Sequence, residues 1–408
     1  MGEPYPGLRP TWAEVDLAAV RHNARLLRKL AAPAALCAVV KADAYGHGIV
    51  AVARAALEGG AAWLAVALVE EGVELRDAGI GAPVLVLSEP TERAMATVVE
   101  RGLTPTVYSA GGVAAASAAA TAVGTVVAVH VKVDTGMHRV GADAAEVVSI
   151  VRAVDAAPRL HFAALWSHLA VADETDAEAR AFTDGQLRLL ADSRAALAAL
   201  GLDPPMVHLA NSAGAIAFPG ARLDMIRCGI SLYGVVPTPA LVPLLSADPA
   251  LSVDGAVTGE ERELLRPVLS LKSKVSLVRS LDAGERPSYG RRIALEKRSV
   301  VATVPIGYAD GVPRRYGAAG GTVLIGGRRC PLAGTVTMDQ IVVDCGADAE
   351  VSVGDEVVLI GRQGRGSLTV QDWADVLGTI GNEVLTEIGS RVPRVLVVNG
   401  GSDEEEKR

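Results

Sequence analysis

From about residue 12 the chain alternates between short β-rich apolar runs and longer stretches with apolar residues at helical spacing. "WAEVDLAAVRHNARLLRKL" has that spacing throughout and predicts a helix, with Asp16 placed to cap it. "ALCAVVKA" then predicts a strand, followed by a helix over 48–58. "AAWLAVAL" and "APVLVLS" predict the next two strands, separated by the helical "VEEGVELRDAG". "LTPTVYS", "VVAVHVKVD", "LHFAALWSH", "PMVHLA" and "RLDMIRCG" continue the series, most of them divided by Ala-rich amphipathic segments. Nearly continuous apolar strands with helices between them imply a parallel sheet covered on both faces. About eight such units in roughly 240 residues fit a (β/α)8, TIM-like barrel. A doubly wound open sheet is the alternative, but no GxGxxG follows the first strand.

The pattern then changes. "TPALVPLLSADPALSVDGAVTGEERE" is rich in Pro, Ala and acidic residues and predicts a surface linker. Beyond it, "VLSLKSKVSLVRSL", "SVVATVPIGYADG", "GTVLIGGRRCPLAGTV", "MDQIVVDCG" and "VGDEVVLIG" are short alternating runs split by Gly and Pro. They predict a small β domain, closed by two short helices and a last strand. The expected class is therefore α/β. A barrel covers 12–240, a linker or insertion 241–265, and a mainly-β domain 266–398, to which residues 1–12 can attach. The charged "GSDEEEKR" at 401–408 leads to the expectation of a disordered tail over 399–408.

Composition narrows the function. Half of the 408 residues are hydrophobic, yet no apolar run reaches the length of a membrane span. The opening "MGEPYPGLRP" lacks the basic-then-apolar pattern of a secretory signal. A net charge of −8 without a basic cluster argues against a nucleic-acid surface. Cys37, Cys228, Cys330 and Cys345 have no metal-type spacing and sit mostly in apolar contexts, as buried thiols in a reducing cytoplasm do. No metal is expected.

Active sites of such barrels lie at the C-terminal ends of the strands. Those ends here carry Lys41 and Tyr45 (first strand), Lys132, Asp134, His138 and Arg139 (fifth), Ser167 and His168 (sixth), His208, Asn211 and Ser212 (seventh), and Arg227 (eighth). Singly, each is an ordinary rim or structural residue. Polar side chains at nearly every end are harder to dismiss. Lys41 directly follows an apolar run, where an unpartnered ammonium is expensive to bury. Ser212 at a helix start, with Gly229 and Ile230 after the last strand, offers backbone N–H groups to a phosphate. A phosphorylated aldehyde cofactor would use the lysine, the phosphate seat and Arg227 together.

"VVKADAYGHG", "KVDTGMHRVG", "HLANSAGA", "RCGISLYG", "SYGRR", "PIGYADG", "TMDQ" and "RVPR", in order from about residue 12 to 395, resemble the alanine racemases. These are pyridoxal-phosphate enzymes that supply D-alanine for the bacterial wall. The resemblance implies a barrel, a β domain, and a cytoplasmic homodimer with shared active sites. By position, Lys41 matches the lysine that carries the cofactor as an imine and serves as one catalytic base. Tyr289 matches the opposite base, supplied by the other subunit, with His168 and Arg227 as the network that lowers its pKa. Arg227 matches the residue facing the pyridine nitrogen. Tyr45, Ser212, Gly229 and Ile230 match the phosphate seat, with Asn211 beside it. Arg139 matches a residue that bonds both the cofactor and the substrate carboxylate. Met338 matches a backbone donor to that carboxylate from the other subunit, Tyr308 and Asp339 an entrance gate, and Lys132 a lysine carbamylated in some members.

One position departs. Where the family has a tyrosine after "TIN", this chain reads "TIGNEV", with Gly381 and Asn382. The shorter Asn382 either leaves a wider pocket that accepts serine beside alanine or leaves a gap that a neighbouring side chain or water refills. A fold-related decarboxylase of basic amino acids would place an acid where Arg227 stands. A non-catalytic cofactor carrier would need neither the β domain nor Tyr289.

Overall fold

The first strand, β1 (Thr11–Asp16), corrects the reading of the N-terminus: the helix begins only at Leu17 and runs to Ala31. Asp16 does cap it, its carboxylate accepting the Ala18 and Ala19 N–H groups at 2.8 and 3.0 Å. Trp12, Ala13 and Val15 are buried. β1 also pairs on both edges with strands from far along the chain, β10 (Leu269–Lys274) and β18 (Arg394–Val397). Local periodicity cannot register partners at that sequence distance. The computed structural model describes residues 8–251 and 265–397. Two units are distinguished, Val20–Ala44 with Ile49–Arg266, and Met1–Ala19 with Tyr45–Gly48 and Pro267–Arg408.

The larger unit is the expected barrel. Its strands are β2 (Ala35–Val39), β3 (Trp63–Val66), β4 (Val84–Val86), β5 (Thr104–Val107), β6 (Val127–Lys132), β7 (Leu160–Trp166), β8 (Val207–His208) and β9 (Met225–Cys228). They lie in the order β8-β7-β6-β5-β4-β3-β2-β9, with every ladder parallel. Asp224 and Arg227 N–H groups donate to the Val207 and Ala210 carbonyls at 3.1 and 3.0 Å, which nearly closes the ring. Helices cover the outside, and their starts are set by side-chain caps at Thr91, Ser109, Asp176 and Asn211. The linker segment is partly ordered: a helix over Val242–Ala247 follows a turn at Pro239–Leu241, with Leu241 and Leu245 buried. The rest of that linker, 252–264, and the tail expected at 399–408 lie outside the described residues.

The second unit is mainly β. It contains β11 (Leu277–Leu281), β12 (Ser299–Val304), β13 (Thr322–Ile325), β14 (Arg328–Pro331), β15 (Ile341–Gly346), β16 (Glu356–Gln363) and β17 (Gly366–Leu368) besides the strands already named. One sheet runs β14-β13-β16-β10-β1-β18, with β17 on β16, and a second runs β11-β12-β15. Helices Val370–Leu377 and Gly381–Glu387 precede β18. Buried Asp310 is held by both Arg9 guanidinium nitrogens, at 2.8 and 2.7 Å.

Candidate active site

Immediately after β2 the backbone does something the sequence did not announce. Ala42, Asp43, Ala44 and Tyr45 all have φ between 52° and 54°, a left-handed turn of four residues that are not glycine. Each such residue costs roughly 1–2 kcal/mol, so the turn needs outside support. It receives it from two carboxylates. Glu71 accepts the Ala42 N–H at 2.5 Å, and Asp43 accepts the Ile49 N–H at 2.7 Å. Lys41 stands at the head of this turn. Burial and the Arg139 guanidinium hold its pKa below the usual lysine value, against the opposing pull of Glu71. Glu71 was missed by sequence reasoning; its only signal was an acid in the first turn of helix Val69–Asp77, after β3.

The barrel interior next to it is a stack of aromatic rings and cations. Register pairs Lys132 with Trp166 and Trp166 with His208. The Lys132 ammonium lies 4.2 Å from the Trp166 ring centre and the Arg227 guanidinium 4.6 Å from it. The His208 ring stacks on Trp166 at 5.3 Å. Both cations are buried, so each gains from the ring face what water would otherwise supply. Burial, and then repulsion from Arg227 and Arg139, push the Lys132 pKa down to about 7.

Arg227 organises the rest. It donates to His208 Nδ1 at 2.7 Å, His168 Nδ1 at 3.2 Å, and the Ser167 and Leu209 carbonyls at 2.7 and 3.0 Å. Arginine can only donate, so both imidazoles accept at Nδ1 and carry their proton on Nε2. His208 passes its Nε2–H to His130 Nδ1 at 3.1 Å. Burial, reinforced by the Arg227 charge, keeps all three rings neutral, with His130 down to about 3. His130 and Trp166 were not anticipated, although His130 lies two residues from Lys132 and therefore on the same face of β6.

Ser212 and the loop after β9 are brought together as expected. The Ser212 hydroxyl accepts the Gly229 and Ser231 N–H groups at 3.1 and 3.4 Å, and Asn211 caps the helix through Gly214 N–H at 2.9 Å. Ile230 is buried there. The Ser231 hydroxyl is buried with no hydrogen-bond partner. Arg139 sits on a loop that folds back after β6, where Asp134 N–H donates to the Ala142 carbonyl at 2.8 Å. Gly141 permits this at φ 138°, since a Cβ there would lie 2.7 Å from the Asp134 nitrogen.

The remaining residues lie in the β unit or, like Tyr45, in the segment grouped with it. Tyr289 opens a short turn, 72% exposed, between Ser288 and Arg291, both with positive φ. The Ser288 hydroxyl donates to the Thr335 carbonyl at 2.5 Å, tying that turn to the segment before Met338. Tyr308 and Ala309 N–H groups donate to the Thr337 and Met338 carbonyls at 2.9 and 3.0 Å. A Cβ at Gly307 would stand 2.3 and 2.4 Å from those same two oxygens, so only glycine fits. Asp339 is paired with Arg391 at 2.7 Å. Tyr308, Met338 and Asp339 thus form one exposed cluster, and Asn382 lies half-buried at the start of helix Gly381–Glu387.

Two family models match the chain, "Alanine racemase, N-terminal domain" over residues 15–237 and "Alanine racemase, C-terminal domain" over 268–396. The chain belongs to the alanine racemase family. An alanine racemase of Symbiobacterium thermophilum is 43% identical over 95% of this chain and 97% of its own length. Among solved structures, the alanine racemase of Streptomyces coelicolor A3(2) superposes with a TM-score of 0.86 at 38% identity, covering 95% of this chain and 98% of that one. That of Bacillus anthracis, with bound L-Ala-P, gives 0.85 at 36% identity, with 97% of each chain covered.

Proposed function

We propose that this chain interconverts L- and D-alanine, with pyridoxal phosphate as cofactor, as a homodimer whose two sites are shared. The observation that carries the reading is Arg227, a buried guanidinium that forms no ion pair with a carboxylate among the described residues. Burial lowers its pKa to about 10, so the charge is under-compensated by the protein alone. A ring nitrogen set against it would relieve that deficit. The unpartnered Ser231 hydroxyl next to the Ser212–Gly229 contact likewise fits a phosphate oxygen. The residues present fit the cofactor.

When bound, pyridoxal phosphate supplies an electron-withdrawing ring that stabilises negative charge at the substrate α-carbon. The protein's own part is proton handling. Racemisation must remove a proton from one face and deliver one to the other, so two bases are needed. Lys41 serves one face, helped by its lowered pKa. Tyr289 of the partner subunit serves the other. His168, with Nδ1 committed to Arg227, has only Nε2–H to offer, which suits a phenolate. Arg227 cannot surrender its proton. A ring nitrogen placed against it would therefore stay unprotonated, which would limit stray protonation away from the α-carbon. Arg139 and the backbone of Met338 of the partner subunit bind the substrate carboxylate, and Tyr308 and Asp339 line its entrance. Tyr45, Asn211, Ser212, Gly229 and Ile230 hold the phosphate side. Lys132, near half-neutral at physiological pH, has an amine able to take up carbon dioxide as a carbamate and brace Arg139. Four free cysteines support a reducing, cytoplasmic setting.

The relatives support alanine over the wider alanine and serine range read from Asn382, and over a decarboxylase. The test is production of D-alanine from L-alanine by the purified protein with added pyridoxal phosphate. The expected result is an equal mixture of enantiomers from either side. Loss of carbon dioxide from a basic amino acid, without D-alanine, would overturn the reading.

A further inference from the structure

Two of the four thiols sit where the proposed chemistry makes no use of them. An isolated antiparallel bridge pairs Leu332 with Val343, and the Ala333 N–H donates to the Val342 carbonyl at 2.8 Å. Two residues along each strand from that bridge stand Cys330, on β14, and Cys345, on β15, the latter where β15 bulges between Asp344 and Gly346. Both are buried. Each thiol donates to a carbonyl of its own strand, Cys330 to Arg328 at 3.6 Å and Cys345 to Val343 at 3.9 Å, and the two lie close enough that each shifts the other's pKa. Both line one cavity of about 530 Å³ in the β unit, with Arg328, Glu350, Asp355 and Gln363 among its walls.

The other pair is a built-in control. Cys37 and Cys228 lie on adjoining strands, but register sets Cys37 beside Arg227 and Cys228 beside Ala38. Their side chains therefore point to opposite faces of the barrel wall. Both are fully buried, and burial pushes both thiols up to about 12. Cys330 differs: the neighbouring Cys345 thiol and the nearby Arg328 charge lower its pKa. No group of three or more metal-ligating side chains occurs among the described residues, so the pair stands as a dithiol without further ligands.

We propose that Cys330 and Cys345 are a modification site for small-molecule disulfides, with Cys330 the attacking sulfur and Cys345 the resolving one. The Cys330 thiolate attacks one sulfur of R–S–S–R, forming a mixed disulfide and releasing RS⁻. The Cys345 thiol then gives up its proton and attacks the Cys330 sulfur, releasing the second RS⁻. Two electrons pass from the protein to the small disulfide, two thiols are released, and one Cys330–Cys345 bond remains. The bond would close the segment 330–345, which carries Met338 and Asp339.

The experiment is incubation of the holoenzyme with oxidised glutathione, followed by alkylation of free thiols and peptide mass mapping. The expected product has two hydrogens fewer than the starting protein, a Cys330–Cys345 cross-linked peptide, and alkylated Cys37 and Cys228. Cys345→Ser should stop at a stable adduct of one glutathione on Cys330. Cys330→Ser should give no cross-link and take up glutathione at Cys345 more slowly than Cys345→Ser does at Cys330. Glutathione adducts on both cysteines without a cross-link would overturn the pairing, and reaction only after unfolding in urea would overturn the site. Equal reactivity of Cys345 in Cys330→Ser would overturn the assigned order.

Discussion

Replacing Arg227 with methionine separates two roles that are usually confounded. The guanidinium satisfies two carbonyls, of Ser167 and Leu209, and two imidazole nitrogens. The imidazoles can shift tautomer, but the carbonyls cannot, and each buried acceptor left unpaired costs about 1–3 kcal/mol. Against this, the depression of the Arg227 pKa from 12.5 to about 10 means that burying its charge costs roughly 3 kcal/mol. Methionine removes that cost and fills much of the same volume. The two effects nearly offset, so cofactor-free Arg227→Met should lose no more than about 3 kcal/mol in urea unfolding. Activity should respond quite differently. With the preorganised donor gone and His168 free to reorient, kcat for alanine should fall by about 10²–10³. Racemisation would be followed by circular dichroism at saturating cofactor. A kcat within about threefold of wild type would refute the reasoning. So would a loss of stability well above 5 kcal/mol, which would make Arg227 a structural brace of the barrel.

Other expectations follow from the same contacts. Gly307→Ala drives a Cβ against the Thr337 and Met338 carbonyls; it should cost about 1–3 kcal/mol in thermal unfolding and raise KM for alanine more than it lowers kcat. Tyr289→Phe, at an exposed position, should change stability by less than about 0.5 kcal/mol, yet lower racemisation by about 10²–10⁴. Deuterium exchange at the α-carbon should then survive for one enantiomer only. Lys132 titrates near 7 when folded and near 10.4 when unfolded, so between those values the unfolded chain holds the extra proton. In carbon-dioxide-free buffer the stability of the cofactor-free protein should therefore rise from about pH 7 to about pH 10, by up to ~1.4 kcal/mol per unit, with no contribution below 7. Lys132→Met should flatten that slope.

The barrel was legible because its strands are continuous apolar runs and its helices carry their own caps, both properties of short windows. Ser212, Gly229 and Arg227 were legible because strand ends and helix starts can be counted. β1 was not, since its partners lie beyond residue 268 and the helical spacing of 17–31 runs into it without a break. Nor was the left-handed turn at 42–45. Ala and Tyr give no sign of positive φ, and the carboxylates that hold the turn, Asp43 and Glu71, act through backbone N–H groups. His130 was passed over because a histidine inside a strand, rather than at its end, reads as core. The chain of imidazoles behind Arg227 shows that it is more than filling.

The claim on which the rest depends is that Lys41 holds the cofactor. Reduction of the holoprotein with borohydride, followed by proteolysis and mass mapping, tests it directly. The pyridoxyl label should be found on Lys41, and Lys41→Ala should bind cofactor without retaining it after reduction. A label on Lys132, or none on any lysine of a fully active preparation, would contradict the assignment.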